Sequence, residues 1–276
     1  MSSTPSTAFV LGGGGMLGSA EVGMLRALFE HSILPDLIVG TSVGALNGAI
    51  IAADPTLATV QRMVDTWTSL SDRGVFGGSI VGQLRTLARH RTYLHSDQGL
   101  RDLLHAGLGR KLNIEDLPVQ FECIAACIER ASPYWFTSGS VIDAVLASCA
   151  VPGLLPAVEI DGQHYFDGGL VRSVPIGRAI QLGAQRVFVL HVGRLEQPLA
   201  APTNPWQVAQ VVFEIARRHH FEEELSSLPD GIEVHVLPSG SAVQTLSVRY
   251  RRTSDVSDRI DAAFHASSGY LDDLLT

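Results

Sequence analysis

The sequence is poor in several features that would assign it elsewhere. It has only three cysteines in 276 residues, Cys123, Cys127 and Cys149, each inside an apolar run. An odd count without paired spacing is no disulfide framework, and no histidine cluster accompanies them to suggest zinc. Reduced core thiols in a cytoplasmic compartment are the expectation. Positive charge is short as well, with 20 Lys and Arg against 28 Asp and Glu and a formal net charge of -8. Binding to a phosphate backbone relies on a basic excess, so nucleic acid is not expected as a partner. The longest apolar run, around Val43 to Ala53, is too short to span a bilayer. Met1 to Thr7 lacks the basic start of a secretory signal. Contact with a membrane surface through a local basic patch stays open, as does the oligomeric state. Internal repeats, low-complexity tracts and obvious linkers are missing too.

What is present suits a globular α/β protein. The composition is 46% hydrophobic and 17% charged, ample for a core. The length fits a single domain over residues 1–276, ordered from about residue 7. Ala8 to Leu11 reads as a buried strand, Gly18 to His31 as a helix with Val22, Leu25, Leu28 and Phe29 on one face, and Leu37 to Val39 as a second buried strand. Ala45 to Ala53 begins another helix. Strand, crossover helix and strand are the unit of a parallel sheet. Pro55 to Gly107 reads as helical with breaks near residues 74–78 and 91–96. Val119 to Ile128 is a strand, Pro133 to Thr137 an edge segment pairing back on it, and Ser140 to Cys149 a short helix. A hairpin turning at Asp161-Gly162 spans Val158 to Phe166. A strand at Val187 to Val192, a helix at Pro205 to Leu228, a strand at Ile232 to Leu237 and a helix at Asp255 to Leu274 complete the pattern.

Two glycine-rich turns carry chemistry. Gly40-Thr41-Ser42-Val43-Gly44 matches G-x-S-x-G between a predicted strand and a predicted helix. Such a turn lifts a serine out of a sheet as a nucleophile, and the helix behind it aims its positive end at developing negative charge. An ordinary helix N-cap serine would look similar, so the neighbouring loop matters. Gly13-Gly14-Gly15 follows the preceding strand and would lie beside the elbow in a parallel sheet. Consecutive glycines can turn their N–H groups toward one point, as an oxyanion hole requires. The same stretch, Gly13-x-Gly15-x-x-Gly18, also satisfies the dinucleotide fingerprint. That fingerprint wants an acid after the second strand, yet Asp36 precedes it and Gly40-Thr41-Ser42 occupies the far end. A nucleotide-binding reading is therefore disfavoured.

Four blocks in order give a resemblance to patatin-like phospholipases over most of the first 190 residues. Gly13 to Gly18 resembles the family's oxyanion loop, and Gly40 to Gly44 its nucleophile elbow. Asp167-Gly168-Gly169 resembles its D-G-G/A motif, and Ala147 to Pro152 with Pro156 resembles the segment before that motif. The resemblance implies a three-layer α/β fold with a mostly parallel sheet flanked by helices. It also implies a serine acyl hydrolase that cleaves lipid or other carboxylic esters through a Ser42–Asp167 dyad, without metal or cofactor. Gly168 and Gly169 would let Asp167 pack against the elbow. Two positions depart from the family pattern: Leu17 stands where Arg or Lys is usual, and Ser173-Val174-Pro175 replaces an Asn-x-Pro.

Alternatives remain. A Ser-His-Asp triad would draw on His191, at the end of a predicted strand, or on His164, three residues before Asp167. A weakly catalytic lipid-binding or scaffold protein would fit the Leu17 departure. On the substrate side, Thr66 to His95 is the candidate wall of an acyl groove. Within it, Ile80, Val81, Leu84 and Leu87 form a stripe opposed by Arg85, Arg89 and Arg91. Trp206, Val212 and Phe213 read as core. Arg217-Arg218-His219-His220, followed by Glu222-Glu223-Glu224, reads as a solvated face.

Overall fold

The computed structural model describes residues 6–73, 95–109, 112–192, 198–203, 205–226, 228–229, 231–240 and 254–276. The strands are β1 (Thr7–Leu11), β2 (Leu37–Thr41), β3 (Gln120–Cys127), β4 (Ser132–Phe136), β5 (Val158–Ile160), β6 (Gln163–Asp167), β7 (Arg186–Leu190) and β8 (Glu233–Val236). The helices are α1 (Ser19–Glu30), α2 (Val43–Ala53), α3 (Leu57–Arg73), α4 (Gln98–Leu108), α5 (Val141–Ser148), α6 (Ile176–Gln181), α7 (Pro205–Ser226) and α8 (Ser254–Leu275). One sheet runs β5-β6-β3-β2-β1-β7-β8, with β4 also paired to β3. The pairs among β3, β2, β1, β7 and β8 are parallel. Those of β3 with β4 and β6, and of β5 with β6, are antiparallel.

The central strands read as unbroken apolar runs because helices cover both faces of the sheet. Alternate residues go to opposite sides. Phe9, Leu11, Ile38, Phe188 and Leu190 join the core built with α1, α2 and α8. Ala8, Val10, Leu37, Val39, Val187 and Val189 pack with Ile176 and Ala179 of α6 and with Phe221 of α7. This is the three-layer arrangement that the family resemblance implied. Gly23 lets α1 lie directly on α8, since a β-carbon there would sit 2.1 Å from the Ile260 carbonyl oxygen.

One detail of the register places the site. At Cys123, β3 pairs with Gly40 of β2 and with Phe136 of β4. At Ala125 it pairs with Tyr134 of β4 and with Asp167 of β6. A residue in a sheet has only two edges, so β2 and β6 must share one edge of β3, end to end. Thr41 lies opposite Ile124 and Asp167 opposite the next residue, Ala125. The sheet therefore brings the end of β6 up against the end of β2. The short hairpin feeding β6 turns at Asp161 (φ 50°) and Gly162 (φ 74°), as the Asp-Gly pair predicted.

Some expectations need revision. The long helical reading of residues 55–107 resolves into α3 and α4. The stripe Ile80, Val81, Leu84 and Leu87 with its arginines lies outside the described residues. The helix α6 was not anticipated. Val212, expected in the core, is 60% exposed on α7. The side chains of Trp206 and Phe213 lie outside the described set. Cys123, Cys127 and Cys149 are free and buried, as expected. No helix among the described residues is long and apolar enough to cross a membrane.

Candidate active site

Between the last residue of β2 and the first of α2, Ser42 alone makes the turn, with φ 55° and ψ −124°. A non-glycine residue in such a conformation costs about 1–3 kcal/mol and persists only where its surroundings enforce it. Here they do. The Ser42 N–H donates to Ser148 Oγ at 2.9 Å, and the Ser42 carbonyl accepts from the N–H groups of Ala45 and Leu46 at 2.9 and 3.1 Å. The two motif glycines allow the close approach. A β-carbon on Gly44 would lie 2.4 Å from the Leu11 carbonyl oxygen, and one on Gly40 would lie 2.6 Å from Ala45 Cα.

Asp167 arrives from the end of β6. Its N–H donates to the Ala150 carbonyl at 2.9 Å, tying it to the segment after α5. Its Oδ1 accepts the Gly169 N–H at 2.7 Å, and its Oδ2 accepts the Ser42 hydroxyl at 2.6 Å. A β-carbon on Gly168 would lie 2.2 Å from the Ile124 carbonyl oxygen, so only glycine fits between Asp167 and β3. The carboxylate is fully buried. Burial pushes its pKa up to about 6, opposed by the Ser42 and Gly169 hydrogen bonds and by the charge of Arg217. The group is thus ionised at neutral pH yet more basic than an exposed aspartate. Burial also raises the nearby Cys149 thiol well above its ordinary range, keeping it protonated.

The glycine loop stands beside this pair. Gly13 faces the elbow, where a β-carbon on it would lie 3.5 Å from Ser42 Cβ. Its N–H, predicted as an oxyanion donor, instead donates to the Ser173 carbonyl at 2.9 Å. The reason lies one residue back: the Arg172 carbonyl accepts the Thr41 hydroxyl at 3.0 Å, which lays residues 172–173 along the loop. Gly13 is therefore a spacer, and Gly14 and Gly15 remain as donor candidates. Gly14 packs against Val192, whose Cγ2 would be 2.2 Å from any added β-carbon. Gly15 takes φ 56° and opens the 3-10 turn Gly15–Gly18.

Neither candidate histidine stands between Ser42 and Asp167, which bond directly. His164 is on the hairpin, with Nδ1 2.7 Å from Glu129 Oε1. His191 stacks on Phe221 with ring centroids 4.7 Å apart. Two contributors escaped the sequence reading. Ser148 holds the elbow. Arg217, assigned above to a solvated face, is buried and donates to the Gly13 carbonyl at 3.3 Å; Glu224 of the same cluster is buried too. Of the expected acyl-groove wall, Thr66 and Trp67 line a cavity of about 260 Å³ together with the apolar Leu46, Ile50, Met63 and Leu103 and the charged Arg62 and Asp65.

With that geometry fixed, the patatin-like phospholipase family model matches residues 9–180, from β1 through the Asp-Gly-Gly turn into α6. The chain belongs to the patatin-like phospholipase family. This patatin-like chain is 32% identical over 194 residues to lysophospholipase nte1 of Aspergillus terreus, covering 69% of itself and 12% of that protein. It is 31% identical over 192 residues to patatin-like phospholipase domain-containing protein 7 of Rattus norvegicus, covering 69% of itself and 14% of that protein. It therefore spans only a small part of the length of these relatives. VipD of Legionella pneumophila shares the fold, with a TM-score of 0.50 at 13% identity, over 98% of this chain and 67% of that one.

Proposed function

We propose that the chain is a serine acyl hydrolase that cleaves carboxylic esters of lipids through a Ser42–Asp167 dyad. The observation that carries this reading is the 2.6 Å bond from the Ser42 hydroxyl to a fully buried carboxylate. Membership of the family, and relatives named as lysophospholipases, support a lipid ester as substrate.

Ser42 attacks the ester carbonyl while Asp167 takes its proton. A base is most effective when its pKa lies near the working pH, and burial moves Asp167 in that direction. The tetrahedral oxyanion is held by the N–H groups of Gly14 and Gly15 and by the positive end of α2. The alcohol leaves, protonated by Asp167, and an acyl-enzyme remains. Water activated by the same carboxylate then releases the fatty acid. The cavity between α2, α3 and α4, with Leu46, Ile50, Met63, Trp67 and Leu103 as its apolar wall and Arg62 and Asp65 also lining it, is our candidate for the acyl chain. Leu46 and Ile50 lie one and two helical turns beyond Ser42, roughly 6 and 12 Å along the axis.

The test is hydrolysis of a nitrophenyl ester, together with fluorophosphonate labelling. Ser42→Ala is expected to abolish both, and Asp167→Asn to abolish turnover. Turnover undiminished in Ser42→Ala would remove the proposal.

A further inference from the structure

Arg217 is not a member of the dyad, yet its side chain is buried close by and all three of its guanidinium nitrogens are held. It is only 6% exposed. Its Nε and Nη2 donate to Glu214 Oε2 and Oε1 at 2.9 and 2.7 Å, a two-pronged grip within α7. Its Nη1 reaches across to the Gly13 carbonyl at 3.3 Å. The helix that carries it is itself fixed over the site. Phe221 stacks on His191 at the end of β7, and Glu224 binds Arg172 and, at 2.8 Å, the Gly177 N–H.

The target of this grip matters. The Gly13 carbonyl and the Gly14 N–H belong to one planar, trans peptide unit, in which they point in opposite directions. A donor held on the oxygen therefore fixes where the N–H points. It also draws electron density toward the oxygen and strengthens that N–H as a donor. In a run of four glycines, Gly12 to Gly15, the loop residues have no side chains of their own to hinder such a peptide from flipping. The loop brings no cation of its own, since Leu17 packs against the core.

Resting on the acyl hydrolase reading above, we propose that Arg217 is a positioning residue of the oxyanion hole. From α7 it locks the Gly13–Gly14 peptide so that the Gly14 N–H faces the reacting carbonyl, and it supplies the positive charge that the loop lacks. Its charge also holds the Asp167 pKa below the value that burial alone would give. Loss of the cation thus has two separable effects. The oxyanion hole loses order, and the carboxylate becomes harder to ionise.

Arg217→Met, Arg217→Lys and Glu214→Gln test this against Ser42→Ala with a nitrophenyl ester. Arg217→Met is expected to lower kcat roughly ten- to hundredfold with KM changed less than about twofold. It should also move the acid limb of kcat/KM to higher pH. Arg217→Lys keeps the charge and should restore the limb with part of kcat. Glu214→Gln leaves the cation but loosens its aim, so kcat should fall while the limb stays within a few tenths of a pH unit. If Arg217→Met does not fold, the Lys and Gln variants carry the test alone. A rise in KM with kcat and limb unchanged, or full activity in every Arg217 and Glu214 variant, overturns the inference. If Ser42→Ala keeps its activity, the hydrolase reading fails instead.

Discussion

Replacing Asp167 by asparagine removes the charge but keeps the shape of the side chain. Its Oδ1 can still accept from Gly169, and its amide can donate to the Ser42 oxygen, which then acts as acceptor. What changes is the cost of burying an ion. The carboxyl ionises at about 6 in the fold, against 3.8 for an unperturbed aspartate. Each pKa unit is worth ~1.36 kcal/mol, so the ionised form costs the fold about 3 kcal/mol. Below about pH 4 both folded and unfolded chains hold the proton, and the cost vanishes. Between about pH 4 and 6 the folded state holds a proton that the unfolded state has released, so wild-type stability falls as pH rises. Above about pH 6 the penalty is complete. The asparagine variant escapes it. Urea unfolding followed by tryptophan fluorescence should show the variant about 3 kcal/mol more stable near pH 8 and equal to wild type near pH 4, while inactive throughout. A variant no more stable than wild type at pH 8, or equally advantaged at both pH values, would refute the claim that an ionised carboxylate is buried there at a cost.

Other outcomes follow from the same geometry. Ser42→Gly should be more stable than Ser42→Ala by about 1 kcal/mol, because glycine accepts φ 55° without strain; equal denaturation midpoints would count against enforced strain at the elbow. Gly168→Ala should cost roughly 2–3 kcal/mol and lower kcat sharply, since its β-carbon would press on the Ile124 carbonyl and push Asp167 away from Ser42. Thermal unfolding and ester turnover measure both effects. Ile50→Phe should fill the cavity between α2, α3 and α4 and shift preference toward short acyl chains, lowering kcat/KM on a decanoyl ester relative to a butyryl ester by at least roughly tenfold. An unchanged ratio would place the acyl chain elsewhere.

The parts that were legible in the sequence are those whose cause is local. The strands around Ala8–Leu11 and Leu37–Val39 stand out because burial on both faces demands continuous apolar residues. The elbow reads from five residues because a strand must turn into a helix within them. The hairpin reads from Asp161-Gly162 because two positive φ angles are needed there. What stayed hidden depends on distant partners. The six residues of α6 are too few for a helical period to declare itself. The 2.6 Å meeting of Ser42 with Asp167 depends on β6 sharing an edge of β3 with β2, a matter of register that family resemblance implied but spacing did not. Arg217 sits in a run of charged residues that reads as solvated, and its bond to Gly13 crosses 204 positions. The Gly13 N–H was assigned to the oxyanion because nothing in the sequence shows that residues 172–173 lie along the loop.

The dependence of kcat/KM on pH, measured for wild type and after replacing His164 and His191 in turn, tests direct proton transfer most squarely. A single acid limb near pH 6, surviving in both histidine variants, is the expected result, because the ionisation belongs to Asp167. Loss of turnover in either histidine variant with its fold intact, or a limb that disappears with that histidine, would contradict a hydroxyl that hands its proton straight to the buried aspartate.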